Sequence, residues 1–133
     1  MNTLLLDTHA WVWWISRPDR LSRRQRSGIE RMLKRTDVAL LVSIISCWEV
    51  ALLCQHGRFR FTIPVDRWLE EASAAPGIQV VPLSLPIIST AARLTTLCDP
   101  ADMLIVATAQ YHGARLVTSD TRIEQSKLVA VVG

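Results

Sequence analysis

The chain has no Gly-rich phosphate loop, no dinucleotide-binding fingerprint, no Cys-x-x-Cys, no internal repeat and no low-complexity tract. Nucleotide-dependent chemistry is therefore not expected. The cysteines, Cys47, Cys54 and Cys98, are odd in number. That argues against a disulfide framework and for free thiols in a reducing cytosol. Structural zinc would need four ligands at tighter spacing. Long apolar runs are missing as well. Val38 to Cys54 comes nearest to a membrane span, but it contains Glu49 and is shorter than the ~20 residues a bilayer requires. The start, Met1-Asn2-Thr3-Leu4, lacks the basic region of a signal peptide and meets Asp7 early. A cytoplasmic protein with no membrane segment is the expectation.

What is present supports a folded core. The 133 residues suit one domain, 1–133, and half of them are hydrophobic, which argues against disorder. The net charge of +3 conceals an uneven distribution. Arg17 to Arg35 holds eight basic residues and two acids; the rest of the chain has seven basic residues and ten acids. A basic stripe beside an acidic remainder suits a polyanionic partner, and equally a solvated helix face.

Short apolar runs at Leu4–Leu6, Val38–Val42, Gln79–Pro82, Arg115–Thr118 and Leu128–Val132 read as strands, several buried on both faces. Helical stretches lie between them. Ser22 is placed to cap a helix running to about Arg35, weakened by Gly28. Ser46-Cys47-Trp48-Glu49 has the form of a capping box opening a helix that stops at Gly57. Arg58-Phe59-Arg60-Phe61 alternates and reads as extended. Helices are expected from Val65 to Ala74, from Pro86 to Leu97, from Pro100 to about His112, and briefly after Asp120. The pattern predicts an α/β fold with a mainly parallel sheet covered on both faces. Trp11, Trp14, Trp48 and Trp68 read chiefly as core residues, with an exposed contact surface as the other use of such side chains.

Four acids fall in equivalent local settings. Asp7 and Asp120 each follow a strand, Glu49 lies near the start of the helix after the second strand, and Asp102 is in the first turn of its helix. In a parallel sheet these places share the carboxyl edge, where ligands bind. Taken singly, each acid is explained by helix capping, with Asp99 as cap, Pro100 at the first helical position and Asp102 reaching back. Taken together they are not. Two carboxylates ~5 Å apart repel by roughly 3 kcal/mol at an effective dielectric near 20. Capping does not require convergence, whereas a hard cation such as Mg²⁺ or Mn²⁺ does.

These strings, Leu4-Leu5-Leu6-Asp7-Thr8-His9-Ala10, Ser46-x-x-Glu49, Asp99-Pro100-Ala101-Asp102-x-Leu104-Ile105-Val106-Ala107 and Leu116-Val117-Thr118-Ser119-Asp120, occur in an order that resembles the PIN-domain ribonucleases, most of all the VapC toxins of toxin–antitoxin pairs. The resemblance spans essentially the whole chain. It implies a three-layer α/β/α fold around a five-stranded parallel sheet, Mg²⁺- or Mn²⁺-dependent cleavage of RNA, and silencing by a cognate antitoxin. By position it implies that Asp7, Glu49, Asp102 and Asp120 form the catalytic and metal-binding set, with Asp7 and Asp102 as the leading ligands. Thr8 and Ser119 would support them by hydrogen bonding, and Asp99 would serve mainly as the helix cap. Members often carry Arg directly after the third acid; Met103 stands here. Lys or Arg from the basic stripe would hold flanking phosphates. A homodimer is expected from the apolar content. His9 reads as a packing residue rather than a base. A hydrolase using Asp7 as nucleophile would want a second Asp where His9 stands. A non-catalytic nucleic-acid or partner-binding domain would use the acids only as caps.

Overall fold

The computed structural model describes residues 3–35 and 37–133. Among these, five strands form one parallel sheet: β1 (Leu4–Leu6), β2 (Leu40–Ser43), β3 (Ile78–Val81), β4 (Arg115–Val117) and β5 (Val131–Val132), in the order β3-β2-β1-β4-β5. The α-helices are α1 (Thr8–Ser16), α2 (Arg23–Leu33), α3 (Ile44–Gln55), α4 (Val65–Ser73), α5 (Leu85–Ala92), α6 (Pro100–His112) and α7 (Thr121–Ser126).

Alternation along each strand builds the three layers. Leu4 and Leu6 join Leu40 and Val42 in a core shared with Trp11, Ile29 and Trp68. Leu5, Leu41 and Leu116 point the other way, into a core with Ile87, Ile105 and Ile123. Successive strand side chains face opposite sides, so a three-residue strand with no polar member serves two helical layers at once.

The topology also fixes where a site can form. From β1 the chain moves outward through β2 to β3, then returns across β1 to β4 and β5. The reversal opens a crevice between β1 and β4 at their carboxyl ends, the usual ligand position in open parallel sheets. Those ends are tied: the Asp7 N–H donates to the Val117 carbonyl at 3.1 Å. The buried Gln25 of α2 braces them from the side. Its amide donates to the carbonyls of Thr118 and Val132, each at 3.2 Å, and its oxygen accepts from the Ser22 N–H at 3.0 Å. Ser22 caps α2 as expected, and Gln25 completes a reciprocal capping box with it.

Several expectations need correction. Helix α3 opens at Ile44 behind Ser43, whose hydroxyl accepts from the Ile45 N–H. Ser46 is thus inside the helix and buried, and the Ser46–Glu49 capping box does not form. Helix α5 ends at Ala92 rather than Leu97, and β5 keeps only Val131–Val132. Arg58–Phe61 joins no strand of the sheet. Trp11 and Trp68 are core residues, whereas Trp48 is 60% exposed. The basic stripe runs away from the crevice. Arg31 and Arg35 at the far end of α2 line a cavity with Leu4 and Arg115, at the amino ends of the strands. No helix among the described residues is long and apolar enough to cross a membrane.

Candidate active site

The crevice is a cleft of about 580 Å³, and Asp7, Thr8, Glu49, Asp99, Asp102, Ser119 and Asp120 all line it. Every residue singled out in the sequence for this site therefore reaches one place, from β1–α1, α3, α6 and β4–α7. The individual placements have local causes. Asp7 is the first residue after β1 and caps α1, accepting from the Ala10 N–H at 2.8 Å. Thr8 follows, buried, and its hydroxyl hydrogen-bonds the Glu49 carboxylate and lies 3.0 Å from the Ser46 hydroxyl. That contact explains the failed capping box: the Ser46 and Glu49 side chains turn toward α1, not back to their own backbone.

Asp99 caps α6, accepting from the N–H groups of Ala101 and Asp102 at 2.8 and 3.2 Å. Asp102 does not reach back. Among the described residues no protein group hydrogen-bonds its carboxylate, which faces the cleft. Asp120 caps α7 through the Arg122 N–H at 2.9 Å, and its own N–H donates to the Thr118 hydroxyl at 3.0 Å. Arg122 also forms an ion pair with Asp120 at 3.4 Å.

The electrostatics separate these acids. Burial, then the charges of Asp99, Asp120, Glu49 and Asp7, push Asp102 from 3.8 up to about 7. Burial also raises Asp7, with the Glu49 charge adding to it and the Ala10 hydrogen bond opposing. Burial works against charge at Asp120 too, yet the Arg122 hydrogen bonds and charge hold it below its ordinary value. The acids therefore act on one another across the cleft. They do not close on a single point: among the described residues no three Asp, Glu, His or Cys groups form a ready-made metal cage. The donor set is all oxygen, and among the described residues Asp102 has no protein donor. Such a set fits a hard divalent cation.

Arg58, Arg122, His9 and Trp13 also line the cleft. The two arginines were not found by sequence reasoning. Arg122, two residues after Asp120 and thus in the first turn of α7, could have been read from that spacing. Arg58 sits just past Gly57 and gave no periodic signal. They, rather than the basic stripe, are the arginines that line the cleft.

A sheet that reverses at β1 and β4 and rings the crevice with carboxylates defines a PIN-like class of fold. The chain belongs to the PIN-domain family, whose sequence model matches residues 4–127. It is 38% identical over 129 residues to Ribonuclease VapC22 of Mycobacterium tuberculosis, the match covering 96% of this chain and 94% of that protein. In structure it is similar to VapBC2 from Rickettsia felis, solved bound to a DNA fragment from its promoter (TM-score 0.71, 15% identity, covering 97% of this chain and 96% of that one). It is also similar to a toxin–antitoxin complex from Klebsiella pneumoniae (TM-score 0.65, 19% identity, covering 98% and 97%). At such identities the structural likeness speaks for the fold alone.

Proposed function

We propose that this chain is a metal-dependent endoribonuclease, the toxin of a toxin–antitoxin pair. The observation that carries the reading is Asp102. Among the described residues it caps nothing and has no protein donor, and it is pushed to about 7 by burial and by four other carboxylates around one cleft. Relationship to a ribonuclease over nearly the whole chain supports it.

In this reading Asp7 and Asp102 are the leading ligands of Mg²⁺ or Mn²⁺, with Glu49 and Asp120 completing the set. The ion supplies acidification of a water and stabilisation of charge on phosphoryl oxygens. The protein does the rest. The Ala10 N–H fixes the Asp7 carboxylate, and Thr8 aims Glu49 into the cleft. Arg122 and Thr118 hold Asp120 in place. Arg58 and Arg122 are the cations at hand for phosphates on either side of the scissile bond. Water attacks phosphorus in line and the opposite oxygen leaves, so no Ser, Cys or His nucleophile is required. Asp99 and Ser119 support the rim of the cleft.

The binding-only reading draws on a specific observation: Asp7, Asp99 and Asp120 are all helix caps. It accounts for Glu49 by the Thr8 hydrogen bond, but leaves Asp102 without a reason to face the cleft. RNA incubated with the purified chain decides between the two. Cleavage in Mg²⁺ or Mn²⁺ that stops with a chelator, and is lost in Asp7→Asn, is expected. No cleavage with either ion, or cleavage unchanged in Asp7→Asn, would reject the nuclease.

The antitoxin belongs to the same reading, since a toxin must be silenced, and structurally similar chains occur in toxin–antitoxin complexes. Purification from the native host should recover a small bound protein. A homodimer has exposed apolar side chains to draw on, among them Ile44, Trp48, Leu85 and Ile88. Sedimentation of the isolated chain as a monomer would remove that expectation.

A further inference from the structure

A second groove of about 600 Å³ runs from the acid-lined cleft between α1, the segment 58–63 and α4. His9, Trp13 and Arg58 line both, so the two adjoin along these side chains. Their chemistry differs sharply. Among the described residues no acid lines the second groove, which instead carries Arg17, Arg20, Arg58 and Arg60. Arg17 is paired with Asp19. Among the described residues Arg20, Arg58 and Arg60 have no ion-pair partner, and all three are exposed.

Aromatic rings are interleaved with these cations. His9 meets Trp13 edge-on at 5.7 Å and Phe59 at 5.2 Å. Further along, Phe61 stacks on Trp68 at 4.4 Å with the planes 5° apart, and Trp68 meets the buried Trp11 at 5.1 Å. The Trp68 indole N–H also donates to the Ser16 hydroxyl at 3.2 Å. The groove wall is thus anchored to the core, while Trp13 at the junction is only half-buried. The Arg20 guanidinium is 6.0 Å from the centre of the Trp13 ring, the outer limit of a cation–π contact at ~6 Å. Little is lost if that ring takes another partner.

We propose that this groove seats the nucleotide next to the scissile phosphate of a single-stranded RNA, with the base on Trp13 and the adjoining phosphates on Arg20 and Arg58. The inference rests on the nuclease reading of the neighbouring cleft. Only an unstacked base can offer its face to an aromatic ring, so the platform selects single strands over duplexes. Unpaired arginines beside it match a phosphate backbone better than an uncharged peptide. One strand then crosses a cationic groove and an anionic cleft in turn, its phosphates neutralised by arginine in the first and by the divalent ion in the second.

The test measures binding apart from cleavage, in the Asp7→Asn background, by anisotropy of a labelled oligouridylate. Base–aromatic stacking contributes ~1–3 kcal/mol per base, so Trp13→Ala should weaken binding about tenfold, while Trp13→Phe retains most of it. Arg58→Ala, a change at an exposed side chain, should weaken binding and lower the slope of log affinity against log salt by about 0.7. A duplex RNA of equal length should bind more weakly and ignore Trp13. Parental affinity in both Trp13→Ala and Arg58→Ala, with thermal unfolding unchanged, would overturn the proposal. So would a loss confined to binding of a protein partner, which would assign the groove to a polypeptide instead. If the parent cleaves RNA yet Trp13 and Arg58 do not matter, the groove assignment alone fails. If the parent never cleaves but both variants lose RNA, the nuclease reading fails and the groove stands.

Discussion

The two edges of the sheet carry opposite charge and treat it differently. At the amino edge Arg31, Arg35 and Arg115 lie exposed around a cavity of about 260 Å³, and Arg35 is paired with Asp37 at 3.2 Å. At the carboxyl edge the acids are drawn into a cleft, and burial with mutual repulsion raises Asp102 and Asp7. Exposed arginines are stabilised by water, and surface pairs add only ~0–1 kcal/mol. Half-buried like charges lack that relief. A charge count along the sequence gives both edges similar weight. Their burial separates a solvated face from a cleft that crowds like charges.

The contrast makes its largest prediction in activity. Asp7→Asn should lower RNA cleavage by more than ~100-fold, beyond the usual cost of losing a supporting partner of a metal site. Arg31→Ala at the opposite edge should leave cleavage within about twofold of the parent, as surface substitutions away from special features generally do. Equal losses would erase the distinction between the edges. Next is the brace of the carboxyl edge. Gln25→Ala takes the Gln25 donor from the Thr118 carbonyl and leaves the Val132 carbonyl with the Thr118 N–H, and should destabilise the chain by about 1–3 kcal/mol in urea unfolding.

The pH dependence sharpens the comparison further. Asp102 binds its proton more tightly folded than unfolded, since its pKa rises from 3.8 to about 7. The folded state gains from that proton at low pH and loses the gain as pH rises from about 4 through 7. Without divalent ions the Tm should therefore fall from pH 5 to pH 8, and Asp102→Asn should flatten the fall. A Tm that rises with pH equally in both proteins would contradict this. The smallest effect belongs to the amino edge. A Cβ on Gly28 would meet only Leu4 Cδ1, at an ordinary 3.7 Å. Gly28→Ala should then stabilise α2 by about 0.5–1 kcal/mol in the same unfolding assay, through helix propensity.

Much of this was legible in the sequence because its causes are local. Leu4–Leu6 reads as a doubly buried strand because it has no polar member, and Asp7 is placed by ending it. Asp99-Pro100 and Ser22 announce helix starts through capping chemistry alone. What escaped depends on tertiary partners. Ser46-x-x-Glu49 satisfies the capping-box pattern, yet Thr8, 38 residues from Ser46 and 41 from Glu49, takes both side chains. Leu128 to Ala130 looks like strand, but Lys127 turns with a φ of +60° and only Val131 and Val132 find partners on β4. Arg58 and Arg122 reach the cleft on long side chains whose direction no periodicity encodes. Convergence of the acids was inferable only from the order of strands and from the family pattern, because no local rule requires it.

In the nuclease reading a divalent ion relieves the crowding of Asp7, Glu49, Asp102 and Asp120. Titration of the RNA-free chain with Mn²⁺, followed by electron paramagnetic resonance, tests it without reference to catalysis. Saturable binding is predicted, strengthening as pH rises through about 7 where Asp102 gives up its proton, and lost in Asp7→Asn and Asp102→Asn alike. Mn²⁺ that stays free in solution, or binds both variants as it binds the parent, would contradict the account.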